Sequence, residues 1–301
     1  VRLIAVVGPT ATGKSDLGLA LAHAYDGEVV NADAMQLYRG LDVGTAKLTP
    51  ADRGGVPHHL LDVLDVTETA SVAAYQRAAR TAIEDVLAAG RTPVLVGGSG
   101  LYVQAVVDEL EFPGTDPVLR AGLAAELDER GSAALHARLA EVDPPAAAAI
   151  LPSNGRRIVR ALEVIALTGR PFAARLPEAA TPRYDAVLLG LDRSTEDLDG
   201  AVARRVARMF AAGLVAETRG LLPGLREGQT ASRALGYQQV LSALDGLTEF
   251  PTAAMDTVVA TRRFVRRQRS WFRRDRRIVW LDAGESDVLG RARAAITASV
   301  P

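Results

Sequence analysis

At 301 residues, with 48% hydrophobic and 24% charged residues, the chain is long enough for one large domain or two moderate ones and too apolar for a disordered polymer. No apolar run reaches the roughly 18–20 residues of a membrane span, and Val1-Arg2-Leu3-Ile4 lacks the layout of a signal peptide, so a soluble cytoplasmic protein with no membrane partner is expected. The absence of cysteine excludes disulfides, thiolate catalysis and zinc fingers, and the four histidines lack metal-ligand spacing, which leaves any metal to oxygen ligands. The net charge of −1 hides a skew: two lysines, Lys14 and Lys47, stand against 33 arginines, nine of them between Arg262 and Arg277.

In chain order, Arg2–Val7 is a β-branched apolar run broken by Gly8-Pro9, and Asp16–Tyr25 carries Leu17, Ala20, Leu21 and Ala24 at helical spacing. This predicts strand, tight loop, helix. A second strand follows at Glu28–Asn31, a helix at Ser71–Ala89, and a third strand at Pro93–Val96 closed by Gly97-Gly98. From Thr115 to Pro182 the pattern becomes Ala- and Leu-rich helix punctuated by Pro144-Pro145 and Pro152. Ala186–Leu191 returns as a strand, Leu198–Leu222 and Ala253–Phe272 read as long helices, and Ile278–Leu281 closes as a strand. Strands alternating with helices imply a parallel sheet covered on both faces, with ligands at the carboxyl ends of its strands. The expected organisation is an α/β core at 1–114 and 183–301, with C-terminal helices, and an all-helical insertion at 115–182.

Gly8-Pro9-Thr10-Ala11-Thr12-Gly13-Lys14-Ser15 fits G-x-x-x-x-G-K-[ST] between a strand and a helix. Its glycines let backbone N–H groups turn toward one anion, the helix N-terminus adds positive potential, Lys14 adds a compact charge, and Ser15 is the natural Mg²⁺ ligand. Motif and context together outweigh an ordinary glycine turn and make the core P-loop NTPase-like. A nucleotide hydrolase usually adds a strand ending in a metal-holding Asp, whereas Val94-Leu95-Val96-Gly97-Gly98 ends without a carboxylate. The second strand instead delivers Asp33 beside the loop, where it could act as a base or simply cap the next turn.

The blocks Asp33–Gly40, Asp42–Lys47, Pro57–Asp62, Gly97–Tyr102, Arg156–Glu163 and Ser232–Gln238, taken with the phosphate loop, resemble the bacterial tRNA dimethylallyltransferase family along nearly the whole chain. The resemblance implies an enzyme that moves a five-carbon dimethylallyl group from dimethylallyl diphosphate to N6 of adenosine 37, beside the anticodon, with Gly8–Ser15 holding the diphosphate and Mg²⁺ accompanying it. Asp33 becomes the general base on the adenine amine, and Lys14 and Arg205 neutralise the leaving diphosphate; for Arg205 a solvated helix-face charge stays open. The resemblance also assigns tRNA contacts to Asp33, Ala34, Met35, Gln36, Ser99 and Arg120, to Arg156, Arg157, Ile158, Val159 and Arg160, and to Arg233, Gly236, Tyr237 and Gln238. Two departures are Ser99, where many members have Thr, and Ala34, where many have Ser; the latter puts a hydrogen bond from that hydroxyl in doubt. A monomer acting on the tRNA anticodon stem-loop is expected.

The target adenine must leave its stack to reach such a site, so an anticodon grip is required. Arg262–Arg277, interleaved with Phe264, Trp271 and Phe272, suits phosphates and unpaired bases, and it equally suits an amphipathic helix with Phe264, Val265, Gln268 and Trp271–Phe272 inward. Three rivals remain: a nucleotide-kinase-like phosphotransferase, an RNA-binding nucleotide switch, and an adenylate isopentenyltransferase acting on free AMP.

Overall fold

A computed structural model describes residues 2–172 and 181–299; residues 173–180 of the expected insertion lie outside them. Six parallel strands form one sheet: β1 (Leu3–Val7), β2 (Gly27–Asn31), β3 (His58–His59), β4 (Thr92–Gly97), β5 (Ala186–Asp192) and β6 (Val279–Asp282), in spatial order β3-β2-β4-β1-β5-β6. Every residue of β1 is buried, the pattern of a parallel strand covered on both faces. Leu3, Ala5 and Val7 pack with Ala79 and Ile83 of α2 (Val72–Ala88) and Val103 and Val106 of α3 (Gly100–Val107). Ile4 and Val6 face the opposite layer, where α1 (Lys14–Ala24) supplies Leu17 and Leu21. The register places Val7 opposite both Gly97 and Gly190, so the loops after β1 and β4 leave the sheet at one level.

Residues 109–181 form a second compact unit built from α4 (Pro117–Val142, interrupted at Gly131), α5 (Pro144–Ala149) and α6 (Gly155–Thr168). Leu123, Leu135, Leu139, Ile158 and Leu162 are its core. Glu163 is fully buried inside it and accepts from Thr115 Oγ1 (2.6 Å), Arg120 Nη2 (2.6 Å) and Arg160 Nη1 (2.8 Å). Burial pushes that carboxyl up, but the hydrogen bonds from Arg120, Thr115 and Arg160 outweigh it and hold Glu163 at about 2. The chain leaves the sheet-bearing unit at Asp108 and rejoins it at Pro182, and these two residues pair as an antiparallel bridge.

The sheet-bearing unit completes itself with α7 (Thr195–Ala211), α8 (Leu214–Gly220), α9 (Gly224–Glu227), a 3₁₀ turn at Ala231–Arg233, α10 (Tyr237–Leu244), α11 (Phe250–Phe272) and α12 (Val288–Ala298). The single long helix expected over Leu198–Leu222 is therefore two, because Gly213 adopts φ 101°, a left-handed conformation that ends one helix and caps the next. No helix among the described residues is long and apolar enough to cross a membrane.

Candidate active site

The loop after β1 folds as it does because two of its glycines have no substitute. Gly8 sits at φ 133° with Leu191 O only 2.3 Å from where a Cβ would stand, and Gly13 at φ 85° turns the chain into α1. Thr12 Oγ1 donates to Pro9 O (2.9 Å) and Lys14 Nζ donates to the same carbonyl (2.7 Å), which arches the loop over the helix start. Lys14 and Ser15 line a polar pocket with Thr10, Asp33, Gln36 and Arg205. Arg205 arrives from α7 and donates to Thr45 O at 2.9 Å, so it faces the pocket and not bulk water. Burial lowers the Lys14 ammonium to about 8, assisted by the like charge of Arg205 and opposed by Asp33. Arg205 is lowered in the same direction by burial, again with Asp33 opposing. Two cations crowded beside one carboxylate make a site that gains by receiving an anion.

Asp33 lies just past β2 on a turn tied at each end. Asn31 Nδ2 donates to Asp33 O and to Leu60 O (both 3.0 Å), and Asn31 Oδ1 accepts from Asp33 N (2.9 Å). Asp33 Oδ1 accepts from Met35 N (2.9 Å), so the carboxylate does cap its own turn. It does so with one oxygen while the residue lines the pocket. Ala34 has no hydroxyl to offer, and its backbone N donates to Ser99 Oγ at 3.1 Å.

Lys47 holds the other side of this loop system. Its side chain is 3% exposed, and its three donors reach Tyr38 O (2.8 Å), Asp42 Oδ1 (2.6 Å) and Asp62 Oδ1 (2.6 Å). A tetrahedral ammonium suits three converging acceptors and a planar guanidinium does not, which accounts for a lysine in an arginine-rich chain. Lys47→Ala is expected to cost about 1–3 kcal/mol in urea unfolding by leaving those acceptors unmet, with Lys47→Arg failing to restore it. Full stability in Lys47→Ala would remove this role.

Of the residues assigned to tRNA contact, Arg156, Arg157, Arg233 and Gln238 are exposed, and Gln36 Nε2 donates to Thr45 O (3.2 Å) beside the pocket. Arg120 and Arg160 are engaged with Glu163. Three of the assigned residues are buried. Ile158 and Val159 are 0% and 6% exposed because they lie on the inward face of α6, and Tyr237 is 0% exposed, its hydroxyl donating to Glu217 and accepting from Gly44 N. Gly236, also buried, serves as the α10 N-cap.

The arginine cluster divides in two. Arg262 and Arg266 lie 3.6 Å from Asp199, Arg269 and Arg273 about 3 Å from Asp192, and Arg277 is bidentate on buried Asp108. Arg263, Arg267, Arg274 and Arg276 are exposed with no ion-pair partner among the described residues, Arg267 lying over the Phe264 ring. Val265, Gln268 and Phe272 are buried, so the amphipathic reading holds for that stripe. The sequence places Gln268 only in the inward packing stripe; the signal that marks it is an amide on an otherwise apolar stripe. It bonds to Thr10 N and Gly98 O.

A family profile described as IPP transferase matches residues 36–275. The chain is 64% identical over 298 residues to a tRNA dimethylallyltransferase of Salinispora arenicola, covering 99% of this chain and 87% of that one. It is 64% identical over 297 residues to a tRNA dimethylallyltransferase of Streptomyces coelicolor, covering 98% and 95%. Among solved structures, a full-length tRNA isopentenylpyrophosphate transferase from Bacillus halodurans superposes with a TM-score of 0.73 at 38% identity, covering 99% of this chain and 96% of that one.

Proposed function

The chain belongs to the IPP transferase family, and on that premise we propose that it is a tRNA dimethylallyltransferase, moving the dimethylallyl group of dimethylallyl diphosphate onto N6 of the adenosine beside the anticodon. The observation that carries this reading is the convergence of Lys14, Arg205 and Asp33 on one pocket at the carboxyl end of a parallel sheet. An exocyclic adenine amine is a poor nucleophile, so transfer needs a leaving group whose charge is met and a base to take a proton. In the reaction the bond from the allylic carbon to diphosphate oxygen breaks, the bond to N6 forms, and the N6 proton passes to Asp33. Lys14, Arg205 and the loop N–H groups receive the charge that builds on the diphosphate. Ser15 is the candidate Mg²⁺ ligand: its hydroxyl lines the pocket without a protein partner among the described residues, and Mg²⁺ characteristically combines few protein oxygens with phosphates and waters. When bound, the ion would neutralise diphosphate charge.

Incubation with unmodified tRNA and radiolabelled dimethylallyl diphosphate tests the proposal directly. Label moving into tRNA supports it; label moving only into AMP would assign the mononucleotide acceptor, and no transfer to either would defeat it.

The exposed arginines of α11 and its end supply the sequence-independent part of RNA binding under this reading. Each phosphate contact releases counterions and adds roughly 0.7–0.9 to the slope of log affinity against log salt. Replacing Arg263, Arg267, Arg274 and Arg276 together with Gln is expected to weaken tRNA binding at low salt and flatten that slope, with thermal stability held. Arg266 and Arg273 are kept because Asp199 and Asp192 depend on them. A slope identical to wild type would assign the four to solvent alone.

A further inference from the structure

The loops that carry the two halves of the site leave strands that do not touch. The phosphate loop follows β1 and the Asp33 turn follows β2, and β4 lies between them in the sheet. Strand pairing fixes register as far as Val7 opposite Gly97 and Asn31 opposite Val96; beyond those residues the ladder ends. Past that point backbone bonds still tie the Asp33 turn to the loop after β4, Ala32 N donating to Val96 O (2.7 Å) and Ser99 N to Ala32 O (3.3 Å), whereas the phosphate loop is tied to that same loop through a side chain. The connections form one path: Thr10 N donates to Gln268 Oε1 (2.9 Å), Gln268 Nε2 donates to Gly98 O (2.8 Å), and the next residue, Ser99, accepts on Oγ from Ala34 N (3.1 Å), beside Asp33. Gln268 is 5% exposed, and a Cβ on Gly98 would stand 2.4 Å from its Nε2, so the space for this amide exists only because Gly98 has no side chain.

Building on the transferase reading above, we propose that Gln268 is a positioning residue that sets the phosphate loop in register with the Asp33 turn. A primary amide is required, because only it offers an acceptor and a donor from one planar group; a carboxylate cannot donate to Gly98 O, and a thioether makes neither bond well. The function is alignment and not charge. Gln268 takes the Thr10 N–H as its own partner, which removes that donor from those facing an anion, and it contributes no charge to the pocket. Loss of register by about an ångström between donor carbon and base lowers rate by about a hundredfold while leaving each half of the site able to bind.

The test compares Gln268→Met, Ser99→Ala and the double variant in the full chain, reading the single-turnover transfer rate at saturating substrates, the Kd for inorganic pyrophosphate, and the Tm. The expected result for Gln268→Met is a rate at least tenfold lower, with the pyrophosphate Kd within about threefold of wild type. Ser99→Ala removes the Ala34 bond at the other end of the path and leaves the backbone bond from Ser99 N to Ala32 O, so its rate falls less than that of Gln268→Met, and the double variant loses less than the product of the two singles. An unchanged rate in Gln268→Met overturns the proposal, as does a rate that falls only below saturation in step with a weakened pyrophosphate Kd. Should Gln268→Met fail to fold, Gln268→Glu, which keeps the acceptor for Thr10 N and loses the donor to Gly98 O, takes its place, and an unchanged rate in it overturns the proposal. Wild-type protein that moves no label into tRNA refutes the transferase reading itself, a result distinct from equal rates in wild type and variant.

Discussion

Asp33→Ala is expected to lower the single-turnover transfer rate by about 10²–10⁴-fold, the range a positioned general base contributes, while tRNA affinity changes far less. The separation of the two readouts follows from the geometry. The backbone of the Asp33 turn is held by Asn31 and by Ser99, neither of which is touched by the substitution, so the surface the turn presents survives the loss of the carboxylate. Met35 N loses its acceptor at Asp33 Oδ1, and Asp33→Asn supplies that acceptor again without a basic oxygen. Asp33→Asn is therefore expected to be as slow as Asp33→Ala. An Asp33→Asn protein with near wild-type rate, or an Asp33→Ala protein that loses only tRNA affinity, would make Asp33 a turn residue.

Lys14→Ala is expected to reduce transfer by at least about 10²–10³-fold, the cost of removing one preorganised group from a developing anion. Its stability should move the other way. Burial holds the folded-state pKa of Lys14 at about 8 against an ordinary 10.5, so below pH 8 the protein keeps the charged form at a cost that the unfolded chain does not bear. Removing the ammonium relieves that cost, and Lys14→Ala should melt no lower than wild type at pH 7. Between pH 8 and 10.5 the folded lysine has lost its proton while the unfolded one has not, so wild-type stability rises relative to the variant across that window. Loss of the Lys14 Nζ bond to Pro9 O works against that gain, so a variant that melts well below wild type at pH 7 would show that loop support outweighs the relieved burial. The combination of lost activity with retained stability is the mark of a group kept for binding.

How much of this was legible in the sequence depends on what each residue does. The phosphate loop is readable because its chemistry is local: Gly8 and Gly13 need positive φ, and Lys14 and Ser15 follow them in the chain. The core strands are readable because burial on both faces makes them continuous apolar runs. β3 is two residues long and has no periodicity to detect. The break at Gly213 is hidden because buried apolar residues stand on both sides of it, Val206 and Met209 before and Leu214 after. Ile158, Val159 and Tyr237 were assigned to RNA because resemblance comes in blocks, and a block does not say which of its residues face inward. Gln268 is long-range: it acts on loops distant in sequence, with Thr10 lying 258 residues away, and no local pattern announces such a partner.

The pairing of Asp108 with Pro182 bears on how the polypeptide assembles. Strand β1 lies between β4 and β5, so the sheet acquires its last two strands, β5 and β6, only after the helical unit's whole length has been made and bridged. Closing so long an excursion adds little to the free-energy cost, since each doubling of loop length adds only about 0.6 kcal/mol. Its effect is on time: contacts such as Ile4 with Val187 are remote in sequence, and remote pairings form slowly. During synthesis β1, β2 and β4 can pair before β5 has left the ribosome, which leaves one side of β1 open as an unpaired edge through the synthesis of the helices.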